Sequence, residues 1–216
     1  MTRTALRTIA AIVAMVPALA SAQIVFDNGS PNNVSGNEMT QWVQAEDFSL
    51  SQTTTITGIR FWAFALAPNA YQGSIAWSIY GNAGGAPGAV QFAGTFNGGF
   101  VNEGPSAFVG ADQLRFDIAT TFDLSAGSYW LGLHNGPLTT TSREEFYWQT
   151  RANNSTQRGQ EDETPFGVGG WEDNGNEHAF QLLGSPTTVV PEPSTYALLA
   201  TGFVALVAVS RRRRNA

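Results

Sequence analysis

The chain has no cysteine and no lysine, and its 216 residues hold only two histidines, His134 and His178. Each absence closes a class of chemistry. Without cysteine there is no disulfide, no thiol nucleophile, no cysteine-ligated zinc and no redox shuttle. A domain exported to a compartment that permits disulfides must then be held by its core alone. Two histidines leave little for imidazole catalysis. Gly-x-Ser-x-Gly, P-loop and zinc-ligand spacings are missing as well, so no reaction is named and no cofactor is called for.

Positive charge is scarce where it would matter most. Six of the 11 basic residues (Arg3, Arg7, Arg211, Arg212, Arg213 and Arg214) lie at the two ends, whereas only Glu192 of the 17 acids does. The segment between them keeps five basic and 16 acidic residues, a net charge near −11. A face that neutralises phosphates needs clustered Lys and Arg, so nucleic acid is excluded as a partner.

What is present begins with the ends. Arg3 and Arg7 precede a largely apolar stretch, residues 8–19, and Ala20-Ser21-Ala22 follows with small residues at the positions that signal peptidase reads. This pattern predicts a secretory signal peptide, residues 1–22, cleaved after Ala22. Export through the Sec machinery follows from it.

At the other end, Pro191-Glu192-Pro193 precedes a charge-free apolar run, residues 195–210, and then the four arginines. Proline fixes φ and pushes its preceding residue toward extended backbone, so the tripeptide should be stiff. The run is near the lower end of the roughly 17–25 residues of a spanning helix. It is expected to be a transmembrane helix with its arginines on the cytoplasmic side. Each arginine costs on the order of 2.5–3.5 kcal/mol at a helix centre on insertion scales.

Stiff tripeptide, apolar helix and basic cluster together resemble the PEP-CTERM sorting signal. The resemblance covers about residues 190–216 with no element of the pattern missing. It implies recognition by a membrane-embedded exosortase, a cysteine transpeptidase-like enzyme of Gram-negative envelopes. It implies transient anchoring in the inner membrane, removal of the tail, and delivery of the body to the cell surface or extracellular matrix. A structural or adhesive role in an exopolysaccharide matrix is the implied function.

The body, residues 23–183, is long enough for one domain, and residues 184–190 read as a linker to the sorting signal. Apolar residues recur every second position in Ile75-Ala76-Trp77-Ser78-Ile79 and Leu114-Arg115-Phe116-Asp117-Ile118, the period of half-buried strands. Residues 53–66 form a longer run whose parity shifts near Gly58, which predicts a bulge. Further strands are expected over 41–50, 89–96, 128–134, 145–151 and 178–183. Gly/Asn/Pro turns separate them, and no helical period competes. The expected fold is all-β, a single antiparallel β-sandwich of jelly-roll-like form. Three runs, residues 45–62, 77–80 and 127–133, also resemble secreted bacterial β-sandwich bodies found ahead of PEP-CTERM tails. Residues 152–173 read instead as a long polar loop.

Candidate chemistry in the body is weak in every case. Glu144 and Glu145 are adjacent, and neighbours on a strand face opposite ways, unsuited to flanking one glycosidic bond. A secreted hydrolase is therefore disfavoured. Glu161, Asp162, Glu163, Glu172, Asp173 and Glu177 could supply oxygens to calcium, though their spacing fits no calcium motif and the default is a solvated acidic loop. Among Trp42, Trp62, Trp77, Trp130, Trp148 and Trp171, most are expected in the core. Trp171, in a Gly-rich acidic stretch, is the candidate for stacking on a sugar, which makes a carbohydrate-binding module the alternative function. Glycosylation sequons begin at Asn28, Asn33, Asn153 and Asn154.

Overall fold

A computed structural model describes residues 23–108, 110–151, 158–164, 170–187 and 193–214. The expected signal peptide, including Ala20 and Ala22, lies outside them, as do Pro191, Glu192, Asn153 and Asn154.

Among the described residues thirteen strands and one helix follow in order: β1 (Gln23–Asp27), β2 (Gly36–Glu38), β3 (Val43–Leu50), β4 (Thr54–Ala65), β5 (Ile75–Asn82), β6 (Pro87–Phe96), β7 (Val101–Pro105), β8 (Asp112–Leu124), β9 (Gly127–Asn135), β10 (Phe146–Gln149), β11 (Gln160–Asp162), β12 (Trp171–Asp173), β13 (Phe180–Pro186) and α1 (Pro193–Arg214). The strands form two antiparallel sheets. One has seven strands, with β1, β13, β4, β10 and β2 on the main path and β8 and β7 on the far side of β4. The other runs β12-β11-β3-β9-β5-β6. The expected sandwich is thus what forms.

The long strand β4 organises the first sheet. It pairs with β8 along its whole length, and on its other side with β13 and then with β10. The parity shift at Gly58 is a register shift between Ile56 and Gly58, so an irregularity falls where the pattern demanded one. Ile56, Ile59, Phe61 and Ala63 turn inward from β4, and Phe48, Ile75, Ile79, Leu131 and Leu133 meet them from the second sheet. Phe61 stacks on Phe116 with ring centroids 4.8 Å apart, and Trp148 packs edge-on to both Phe61 and Phe180. A core of this aromatic content replaces the missing disulfides.

Three expectations need correction. Residues 152–173 are not one loop, because β11 and β12 lie within them and extend the second sheet beyond β3. Residues 184–186 are not linker: Gly184, Ser185 and Pro186 pair with Ile56, Thr55 and Thr54. The tail does form a helix, yet among the described residues no helix is long and apolar enough to cross a membrane. The 16 residues 195–210 rise about 24 Å at about 1.5 Å each, against a hydrocarbon core of about 30 Å.

Candidate functional site

The tail presents the first candidate. Pro193 opens α1, where a missing N–H costs nothing, and Arg211, Arg212, Arg213 and Arg214 close it, where cations oppose the helix dipole favourably. Between them Leu198, Leu199, Phe203 and Leu206 are each more than 60 % exposed. An apolar helix with bare leucines on successive turns is built for an apolar partner outside the sandwich.

Within the body, polar chemistry concentrates where β3, β10 and the start of β13 meet. Alternation along β3 turns Gln44, Glu46, Phe48 and Leu50 to one side, so a carboxylate enters the interior between a glutamine and a phenylalanine. Glu46 Oε2 accepts the backbone N–H of His178 at 2.7 Å and lies 2.9 Å from His178 Nδ1. The imidazole stacks on the Trp148 indole at 4.6 Å. Both side chains are wholly buried.

Burial sets the charge of this pair. It pushes His178 down to about 3, and it pushes Glu46 well above its ordinary 4.5, with Glu177 adding repulsion. The contact has ion-pair distances, but burial disfavours the charged form of both partners. Asp47 beside it is raised to about 6, by desolvation first and then by Glu177. Among the described residues Glu46 Oε1, His178 Nε2, Glu177 Oε1 and Gln149 Oε1 find no hydrogen-bond partner. With neither member of the pair exposed, the arrangement does not reach a substrate. Sequence reading missed it because a lone histidine and one acid in a strand carry no signal of meeting.

The acids weighed as calcium ligands shape turns and edges. Asp162 Oδ1 accepts the N–H and hydroxyl of Thr164 at 2.9 and 2.5 Å, Asp173 Oδ1 accepts Gly175 N–H at 2.7 Å, and Glu161 Oε2 accepts Gln44 Nε2 at 3.1 Å. Among the described residues no group of three or more His, Asp or Glu could hold a metal ion. Asn28, the first sequon residue, is buried and donates its amide to His178 O at 2.8 Å.

Trp171 sits on β12, half-buried, edge-on to Tyr80 at 5.3 Å. It packs against a small cluster of Ala45, Tyr80 and Trp130 on the outer side of the second sheet. Trp77 and Trp148 are core as expected. Trp62 is buried as well, and it donates its indole N–H to Glu103 at 3.1 Å, beside an exposed ladder in which Arg115 holds Glu103 and Asp117 and Arg60 holds Asp117.

Glu144 and Glu145 precede β10 rather than lying in it. Glu144 accepts the Ser142 hydroxyl at 2.6 Å. Glu145 has a positive φ of 58° and accepts from Arg143 Nε at 2.8 Å and from the Tyr147 hydroxyl. The two acids therefore serve different local networks.

A comparison with curated proteins gives no match. The family model of the PEP-CTERM protein-sorting motif matches residues 189–214, which takes in α1 and none of the strands. That motif implies exosortase-dependent sorting of an exported, envelope-associated protein. The chain thus carries a PEP-CTERM protein-sorting motif near its C-terminus.

Proposed function

We propose that the chain is an exosortase substrate whose β-sandwich serves, without catalysis, as a structural or adhesive component of an exopolysaccharide matrix at the cell surface. The match at residues 189–214 carries this reading. Signal peptidase removes residues 1–22, and the tail is recognised while held at the inner membrane. A helix short of the bilayer core suits a segment handed to a membrane enzyme better than a lasting anchor. Its terminal arginines would reach the interface by extending their long side chains. The acidic, cysteine-free sandwich suits a soluble body outside the cell. Mass spectrometry of the mature C-terminus tests it: loss of residues beyond the 191–193 motif is expected when an exosortase is present. An intact Ala216 on the surface protein would sink it.

A carbohydrate-binding module is the second reading. It draws support from a cavity on the outer side of the seven-stranded sheet, lined in part by Phe64, Phe108 and Tyr147.

A further inference from the structure

We propose that this cavity is a binding site for one unit of a neutral saccharide. It has a volume of about 260 Å³ and is lined by Gly36, Phe64, Leu66, Phe108, Arg143 and Tyr147. That is just below the roughly 300 Å³ at which sites for drug-sized ligands begin, a fit for a single ring. Phe64 and Tyr147 are cross-strand partners on β4 and β10. Phe108, 38 % exposed, packs against Phe64 at 5.6 Å. Phe64 is only 2 % exposed and backs Phe108, so the ring faces open to the C–H face of a sugar are those of Phe108 and Tyr147.

The polar edge is preassembled. Arg143 Nε donates to Glu145 Oε1 at 2.8 Å, Arg143 Nη2 donates to the Tyr147 hydroxyl at 2.6 Å, and that hydroxyl donates to Glu145 Oε2. The Arg143 guanidinium also lies 5.6 Å from the Tyr147 ring centroid. Guanidinium and carboxylate neutralise each other, so the rim offers oriented donors and acceptors with no net charge. This selects hydroxyl groups over carboxylates or phosphates. A body near −11 repels anionic sugars further.

Stability does not explain the arrangement. Glu145 holds φ at 58°, a conformation that costs a side-chain-bearing residue on the order of 1 kcal/mol or more. Its ion pair with Arg143 is about half exposed on both sides, and such pairs return about 0–1 kcal/mol. The strain is spent on aiming the carboxylate at Arg143 and Tyr147 beside the cavity.

The site rests on the carbohydrate-binding reading above and names its ligand class. Binding is measured on the exported protein by titration calorimetry with neutral oligosaccharides of glucose, galactose, mannose and N-acetylglucosamine, beside a uronate oligomer. Saturable binding of at least one neutral oligomer is expected. It should weaken at least tenfold in Arg143→Ala and Phe108→Ala and severalfold in Tyr147→Phe, while Trp171→Ala binds as before. Tyr147→Phe keeps the ring and removes only the hydroxyl, so it reports on the site if Arg143→Ala fails to fold. No binding by any neutral oligomer, tighter binding of the uronate, or undiminished affinity in Phe108→Ala and Tyr147→Phe would each overturn the site. The sorting reading fails separately, at the C-terminus by mass spectrometry.

Discussion

Glu46 and His178 give the sandwich two opposed responses to acid. The folded pKa of His178 is lowered to about 3, so its contribution is present above its unfolded value near 6.5 and is lost as pH falls toward 3. Burial is complete, and 3.5 units correspond to about 5 kcal/mol at most. Glu46 and Asp47 are raised, so their contributions are full below their unfolded values near 4 and are lost as pH rises through the folded ones. Chemical denaturation between pH 4.5 and 6.5 separates the two. Glu46→Gln should steepen the acid-side loss, and His178→Gln should flatten it by about 2 kcal/mol. Profiles that overlay the wild type in both variants would show that burial does not shift the pair. Gly159 sets a second expectation, because a Cβ there would lie 2.8 Å from His178 Nδ1 and 2.9 Å from Glu46 Oε2. Gly159→Ala should cost about 1–3 kcal/mol, read as a lower midpoint in urea. Neither effect is legible in the sequence: Glu46 and His178, 132 positions apart, meet only in the folded two-sheet structure.

Individual strands show which patterns a sequence discloses. The central strands β3, β4, β5, β8 and β9 each run eight or more residues, and β8 shows the cleanest alternation of buried and open positions, readable because one face must be apolar throughout. Strands β2, β11 and β12 have three residues each. They exist through pairing with a neighbour, and three residues hold no period. The same logic explains Gly184, Ser185 and Pro186, whose composition reads as linker although their partners on β4 are fixed by the run from Phe180 to Leu183. Chains ended after Leu183 and after Thr187 test that boundary. The shorter is expected to lose about 1–3 kcal/mol, in line with about 1 kcal/mol per ladder bond; equal thermal midpoints would return these residues to the linker. The Arg143, Glu145 and Tyr147 cluster was half visible. Glu145 stood out as an acid, but a positive φ just before a strand is a tertiary outcome.

For the whole molecule, charge is the property most readily tuned. With five basic and 16 acidic residues between the two ends, the folded body repels itself, and salt shortens the reach of that repulsion to about 8 Å at 0.15 M. Raising sodium chloride from 0.05 to 0.5 M should raise the thermal midpoint of the exported protein by a few degrees, since about 1 kcal/mol moves a domain of this size by 2–4 °C. A midpoint that falls with salt would mean that the arginine and carboxylate ladder on the seven-stranded sheet dominates. The all-β class and the tail were legible at this scale, for residue spacing and segment order survive without any contact map.

The pairing of β1 with β13 has a mechanical consequence. Gln23 lies opposite Gly184, so the body begins and ends at the same place on one sheet. The strand that leads into the sorting signal is flanked by β1 on one side and β4 on the other. Tension entering through the tail therefore pulls along β13 against two ladders in shear, with its bonds loaded together. The outer strand β1 can peel away first without releasing the attachment point. A body hung from its C-terminal end is thus hung from one of its better-gripped strands.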